Sequence, residues 1–426
     1  MRDNSLLPEA RPGGALVLRF IAASGLANLG DGIATIAWAW IASLITRDPL
    51  LIAVVAVALR LPWALLALPA GIVTDRLDRR RLILAMDLLR ALAFGTAAVA
   101  LWLALPLDPP AEGGVSSLPV FITLLLAALV VGGAEVFRDN AAQTMLPALV
   151  PHDRLEAANG RLWSVELTGN ALLGPPLGAL LIALFLPLAF AANAAFYALA
   201  ALFVAGIAGR FRPARTQGGA WRTELAEGFS FLRNAPLLQL LAWLTGFWNL
   251  FFQMVMIALI LHVQENLGLS STGYGLVLAA GAVGGILGGL SGEWIVGRIG
   301  KGAAAQWTLL ASVPAFAAIA LAPNLVTLAL VLALFEFCGL VWNTVSVSTR
   351  QRMIPDALLG RVNSLYRLLA WGMMPLGLLL SGLVVRVAEL ALSREMALTA
   401  PFWVASAGVM VVTLAGWRGL GRGLQG

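Results

Sequence analysis

Residues Gly71 to Leu82 read GIVTDRLDRRRL, and six of these twelve are charged in a chain of 426 residues that is 60% hydrophobic and only 12% charged. A soluble domain carries about 25% charged residues. Apolar runs long enough to cross ~30 Å of hydrocarbon flank the stretch and recur along nearly the whole chain. Backbone groups in lipid must satisfy one another internally, and these runs lack the alternation of barrel strands, so the fold class is an all-α integral membrane protein. Gly71–Leu82 is then a polar joint between the second and third membrane helices.

Working outward from that joint, spans fall at about 17–43, 50–74, 82–105, 118–139, 162–185 and 187–209, then 236–262, 273–297, 303–322, 325–347, 364–387 and 399–417. Twelve transmembrane helices in two six-helix halves follow: residues 1–209, a cytoplasmic linker 210–235, and residues 236–426. The end of the linker, with Trp221, Phe229 and Phe231, has the make-up of an amphipathic interfacial helix. With the N-terminus inside, the external joints hold only Arg47, Arg386 and Arg394, Arg60 lies within a span, and the other basic residues sit on the cytoplasmic side. Both termini are therefore expected in the cytoplasm, and the formal charge of +6 is topological rather than a nucleic-acid surface. No cleavable signal peptide is read at the start, and the single Cys338 allows no internal disulfide.

The halves echo each other. PHDRLEAAN (Pro151–Asn159) and PDALLGRVN (Pro355–Asn363) lie at equivalent joints, and DRLDR at Asp75 has a faded counterpart in GRIGK at Gly297. Such pseudo-symmetry marks a transporter whose halves rock about a midplane site.

On these features the chain resembles the major facilitator superfamily over essentially its whole length. The joint resembles that family's G-x-x-x-D-R-x-G-R-R motif through Gly71, Asp75, Arg76, Arg79 and Arg80, with Asp78 at the usual second glycine. The fifth span, TGNALLGPPLGA, resembles the antiporter motif of exporters through Gly174, Pro175 and Gly178, with Asn170 and Ala179 in place of small residues. NLGDGIATIA (Asn28–Ala37), LRLPWALLALPAG and GRVNSLYRLLAWGMMPLG are similar to the branch containing macrolide-efflux and enterobactin-exporter proteins. The resemblance implies a latch in which Asp75 faces the start of the eleventh helix, near Asn363 to Tyr366, and Arg79 or Arg80 pairs with an acid of the fourth, Glu135 or Asp139; such a latch would hold the outward-facing state and release during inward opening. Positive-inside anchoring alone is the competing reading. Gly71, lacking a side chain, would let the second helix approach a neighbour closely.

Within the spans, Asp31 and Arg60 are each about 14 residues deep, ~20 Å, so an ion pair between them is expected, either as a proton-coupling pair or as a static helix contact. Glu336 lies near the midplane of the tenth span, there to take a proton, to face a cationic substrate, or to bond Asn343 or Asn249. Glu166 and Arg90 are read nearer the cytoplasmic face. Asn249 and Gln253 share a helix face with Trp248 beside them, suited to lining a cavity for an amphiphilic ligand or to bonding between helices. The glycines from Gly281 to Gly292 are read as packing surfaces.

Enzymatic alternatives fail on residues. GLSG at Gly289 has Ser291, but His262 is a membrane thickness away and His152 lies in another half. No H-E-x-x-H zinc site and no G-x-x-x-x-G-K-[ST] ATP loop occurs. The sequence therefore points to a cofactor-free and metal-free monomer that exchanges a small-molecule substrate with protons in a lipid environment. A bacterial inner-membrane exporter of a hydrophobic or amphiphilic compound is the leading reading; an uptake symporter or facilitator, a lysophospholipid flippase and a non-transporting receptor are the alternatives.

Overall fold

The structure, a computed structural model, describes residues 14–151, 155–209, 211–212 and 221–424; the side chains at 68, 72, 75, 156–157, 221–225, 356–357, 359–361 and 363–364 lie outside the description. Twelve helices among the described residues are long and apolar enough to cross a membrane. The first six spans are α1 (Gly14–Ser43), α2 (Pro49–Arg76), α3 (Arg79–Leu103), α4 (Leu118–Leu149), a fifth built from α5 (Leu155–Leu167), a π-helical turn (Thr168–Leu173) and α6 (Gly174–Leu184), and α7 (Leu188–Ala205). A short helix, α8 (Trp221–Arg233), leads to α9 (Pro236–Leu261), α10 (Ser271–Ile299), α11 (Lys301–Leu321) and α12 (Leu325–Met353). An eleventh span is divided into α13 (Asp356–Gly372) and α14 (Met374–Ala388), and α15 (Arg394–Gly423) completes the twelve. Apart from a single bridge pairing Thr46 with Ala111, the described residues form no β-structure.

Side-chain caps start the helices: Asp48 accepts from Leu50 N at α2, Asp78 from Arg81 N at α3, and Asn324 from Thr327 N at α12. α10 ends at Gly300, whose φ of 82° suits a residue without Cβ. Several helices outrun their apolar spans. α4 continues to Leu149 rather than 139, and α12 to Met353 rather than 347. Hydropathy marks the stretch that meets lipid, whereas the helix continues until Pro151 and Pro355 disfavour helical backbone in the residue before them. The repeated PHDRL and PDALL joints are thus the helix stops of the two halves.

Bare backbone lets helices cross closely. Gly284 and Gly288 of α10 have the carbonyls of Ala333 and Phe337 where a Cβ would stand, and Gly174 faces Gly32 across the α1–α6 crossing. Aromatic rings fill the remaining space: Trp38 packs on Phe94 and Phe190 in the first half, and Trp248 stacks on Phe252 and Phe335 in the second. α8 bears out the amphipathic linker helix in outline, with Phe229 exposed and Phe231 packed toward Leu232, Leu238, Ile354 and Val362.

Candidate functional site

Between the halves lies a cavity of about 370 Å³. One wall carries most of the polar groups, set among Trp38, Leu59 and Val131: Asp31 and Thr35 of α1, Arg60 of α2, Glu135 of α4 and Asn170 of the π turn. The other is largely apolar, with Phe252, Met256, Ile257 and Ile260 of α9 and Leu278 of α10, broken by Gln253 and Tyr274. Asp31 and Thr35 are one turn apart on α1 and so project to the same side.

Asp31 and Arg60 share this cavity but do not pair. Asp31 is bonded to Arg90 of α3, and both Arg90 Nη2 and Asp31 Oδ1 lie 2.6 Å from the Tyr197 hydroxyl of α7. The Arg90 guanidinium also sits 4.1 Å from the Tyr197 ring centre. Arg90 is wholly buried. Neighbouring spans in the chain need not bring their charges together: α1 presents Asp31 toward α3 and α7. A second buried pair, which sequence reasoning missed, joins Asp87 of α3 to Arg138 of α4 at 3.3 Å, and Arg138 also lies 3.6 Å from Asp139. Its signal was available: Asp87 with Arg90, and Glu135 with Arg138 and Asp139, are spaced three or four apart on adjacent spans and face one another.

The arginines of the α2–α3 joint bond to backbone carbonyls rather than to an acid of the fourth span. Arg79 Nη1 donates to the Thr144 carbonyl of α4 at 2.8 Å, and Arg80 donates to the Val204 and Ala205 carbonyls at the end of α7, at 3.2 and 2.6 Å. Neither pairs with Glu135, which faces the cavity, nor with Asp139. Carbonyls at a helix C-terminus lack partners within the helix and carry the negative end of its dipole, so they hold guanidinium groups well. Asp78 does more than replace a glycine: besides capping α3, its Oδ2 accepts from Phe211 N at 2.9 Å, tying the joint to the segment after α7. Arg76 is exposed. Gly71 has open space where a Cβ would stand, so the close approach expected there is absent in this conformation. The side chains of Asp75 and Asn363 lie outside the described residues.

Toward this same face a cavity of about 480 Å³ is lined by Arg138, Asp139, Gln143 and Glu166 of the first half and Arg367 of the second. At the opposite face ion pairs and hydrogen bonds join the two halves. Arg47 Nη1 donates to Gln264 Oε1 at 2.6 Å and lies 3.8 Å from Glu265; Arg394 Nε donates to Glu265 Oε2 at 2.9 Å and its Nη2 to the Arg47 carbonyl at 2.7 Å. Arg386 Nε donates to Asp48 Oδ1 at 3.1 Å. The three arginines read as lying apart from the basic face all take part in this cross-half cluster.

In α9 the candidate lining divides. Gln253 reaches the cavity. Asn249 is buried and donates to the Ala370 carbonyl at 2.9 Å, in the last turn of α13 where the helix breaks and carbonyls lack partners. Trp248 is also packing, its Nε1 donating to Ser312 Oγ at 3.1 Å. Glu336 lines a separate crevice. Gly174 and Gly178 serve the α1–α6 crossing, while Pro175 lies in the first turn of α6 and borders the crevice. The described residues contain no group of three His, Cys, Asp or Glu fit to hold a metal.

Comparison with known proteins agrees with this geometry. Residues 20–378 match the sequence model of the Major Facilitator Superfamily. The chain is 28% identical to the multidrug efflux pump Tap of Mycolicibacterium fortuitum over 397 residues, covering 88% of this chain and 90% of that protein. It is 27% identical to Tap of Mycobacterium tuberculosis, covering 84% of each. Among solved structures, a mutant form of the nucleoside transporter NupG superposes with a TM-score of 0.75 at 14% identity, over 95% of this chain and 99% of that one. A bacterial homologue of the iron transporter ferroportin in its inward-facing state gives 0.73 at 16% identity, over 97% and 100%.

Proposed function

The chain belongs to the major facilitator superfamily of transporters, and on that premise we propose that it exports hydrophobic or amphiphilic small molecules from a bacterial cell by proton antiport. The observation that carries this reading is the position of Asp31, which lines the central cavity and holds the buried Arg90 at the same time. A proton arriving on Asp31 removes the charge that binds Arg90, and a substrate in the cavity competes for the same wall. Substrate and proton are thereby kept from leaving together, which is what antiport requires. The apolar wall of α9 and α10 suits a greasy ligand, and the relatives named multidrug efflux pumps support export.

The positive-inside pattern favours an inner-membrane protein with both termini in the cytoplasm, which makes the ion-paired face the outer one. Its cross-half pairing, with the 480 Å³ cavity on the other side, supports an inward-facing reading. The halves 1–209 and 236–426 then rock as units about the 210–235 linker, and the latch of Gly71, Asp75, Arg76, Arg79 and Arg80 engages in the outward-facing state.

Reconstitution of the monomer in liposomes with an imposed pH gradient tests this. Gradient-driven accumulation of an amphiphilic dye that collapses in Asp31→Asn is expected. Equal flux without a gradient, unchanged in Asp31→Asn, points to a facilitator; cotransport of proton and dye in one direction points to a symporter; movement of labelled lysophospholipid alone points to a flippase, and binding without flux to a receptor.

A further inference from the structure

We propose that the crevice between the fifth span and α10 is a side entrance for substrate from the inner half of the membrane, and that Glu336 binds the charged group of a monocationic amphiphile there. This rests on the export reading and names its substrate class and route.

The crevice measures about 420 Å³. Leu167, Asn170 and Pro175 form one wall, and Gly281, Gly285 and Gly289 of α10 form the other. The glycines of α10 thus divide their work: Gly284 and Gly288 press on the backbone of α12, Gly281 and Gly285 pack on the α12 side chains of Leu332, Glu336 and Leu340 while bordering the crevice, and Gly289 faces open space. Gly289 meets no atom within 4 Å of its absent Cβ, and the neighbouring Leu290 is 79% exposed, so the mouth opens on the lipid side. Inside, Thr35, Asn170 and Leu278 border both this crevice and the central cavity that holds Asp31, so the two lie back to back. The wall between them is the π turn followed by Pro175 and Pro176, a stretch short of regular helix bonds and therefore the part of the fifth span best able to give way.

Glu336 is the ionisable group of this crevice, and among the described residues it has no hydrogen-bond or ion-pair partner. Asn249, a candidate partner from its position, is occupied by the Ala370 carbonyl. A carboxylate in an apolar groove at membrane depth is costly unless a cation meets it. The apolar walls take the body of a ligand, and one unpaired carboxylate selects one positive charge.

The test measures equilibrium binding of tetraphenylphosphonium and of neutral triphenylphosphine oxide to the full chain in lipid nanodiscs, for wild type, Glu336→Gln and Gly289→Phe, each checked for a wild-type thermal midpoint. Glu336→Gln is expected to lower the ratio of cation to neutral affinity by about tenfold or more. Gly289→Phe, whose ring enters the open mouth, is expected to slow association of both compounds. An unchanged ratio in Glu336→Gln, an equal loss of both ligands, unaltered association in Gly289→Phe, or absence of wild-type cation binding overturns the proposal. Because no gradient enters these measurements, a failed export reading would show separately, as bound cation without flux in liposomes.

Discussion

Asp48 caps α2 through Leu50 N and binds Arg386 of α14 with the same carboxylate, so one side chain both starts a helix of the first half and fastens it to the second. Asparagine keeps the cap and loses the charge. Arg386 is 47% exposed, so a single contact of this kind contributes only about 0.2–1 kcal/mol. If the cluster as a whole seals the face, its members act together. In a Cys338→Ser background with spin labels at positions 108 and 390, Asp48→Asn is expected to raise the separated population about twofold. Replacing Arg47, Arg386 and Arg394 together by Gln should make that separated state dominant; distance distributions unchanged by the triple replacement would rule the cluster out as a gate.

Arg90 offers a stability test. Arg90→Met leaves Asp31 without its buried cation, and breaking such a pair costs about 3–5 kcal/mol. A large fall in thermal midpoint in detergent is expected, partly recovered when Asp31→Asn is added. Arg60→Met breaks no ion pair among the described residues and should lower the midpoint far less. If Arg60→Met were the more damaging change, the pairing seen here would be wrong.

These contrasts show how far the chain could be read in advance. The spans, the amphipathic α8 and the polar joint at Gly71–Leu82 are local consequences of hydropathy and charge, and they stand where expected. The partner of Asp31 was not legible, because depth along a span says nothing about which helix lies alongside, and Arg90 meets Asp31 only through the packing of α1 against α3 and α7. Asn249 and Gln253 share a face by periodicity, yet the break in α13 claims one and the cavity the other. That break lies at Gly372–Met373, ahead of Pro375, and periodicity alone does not place it opposite α9.

The division in α9 is itself testable. Asn249→Leu strands the Ala370 carbonyl and should cost about 1–3 kcal/mol, seen as a lower thermal midpoint with the order of substrate preferences kept. Gln253→Leu removes a polar group from the cavity wall and should leave the midpoint near wild type while changing relative KM values among substrates. The reverse pattern would return Asn249 to the cavity.

Gly71 offers a test of the latch. Here it faces open space within α2, so Gly71→Ala fits without strain and the thermal midpoint of this state should not fall. If α2 closes on its neighbour when the transporter turns outward, the added methyl is overpacked in that state alone, at a cost of about 1–3 kcal/mol. The spin-label pair at 108 and 390 should then report a smaller separated fraction, and transport should slow by about fivefold or more, while Asp75→Asn weakens the same state by removing charge rather than adding volume. Outward populations and fluxes equal to wild type in Gly71→Ala would mean that the α2–α3 joint never closes at this residue, leaving its arginines as anchors to α4 and α7 alone.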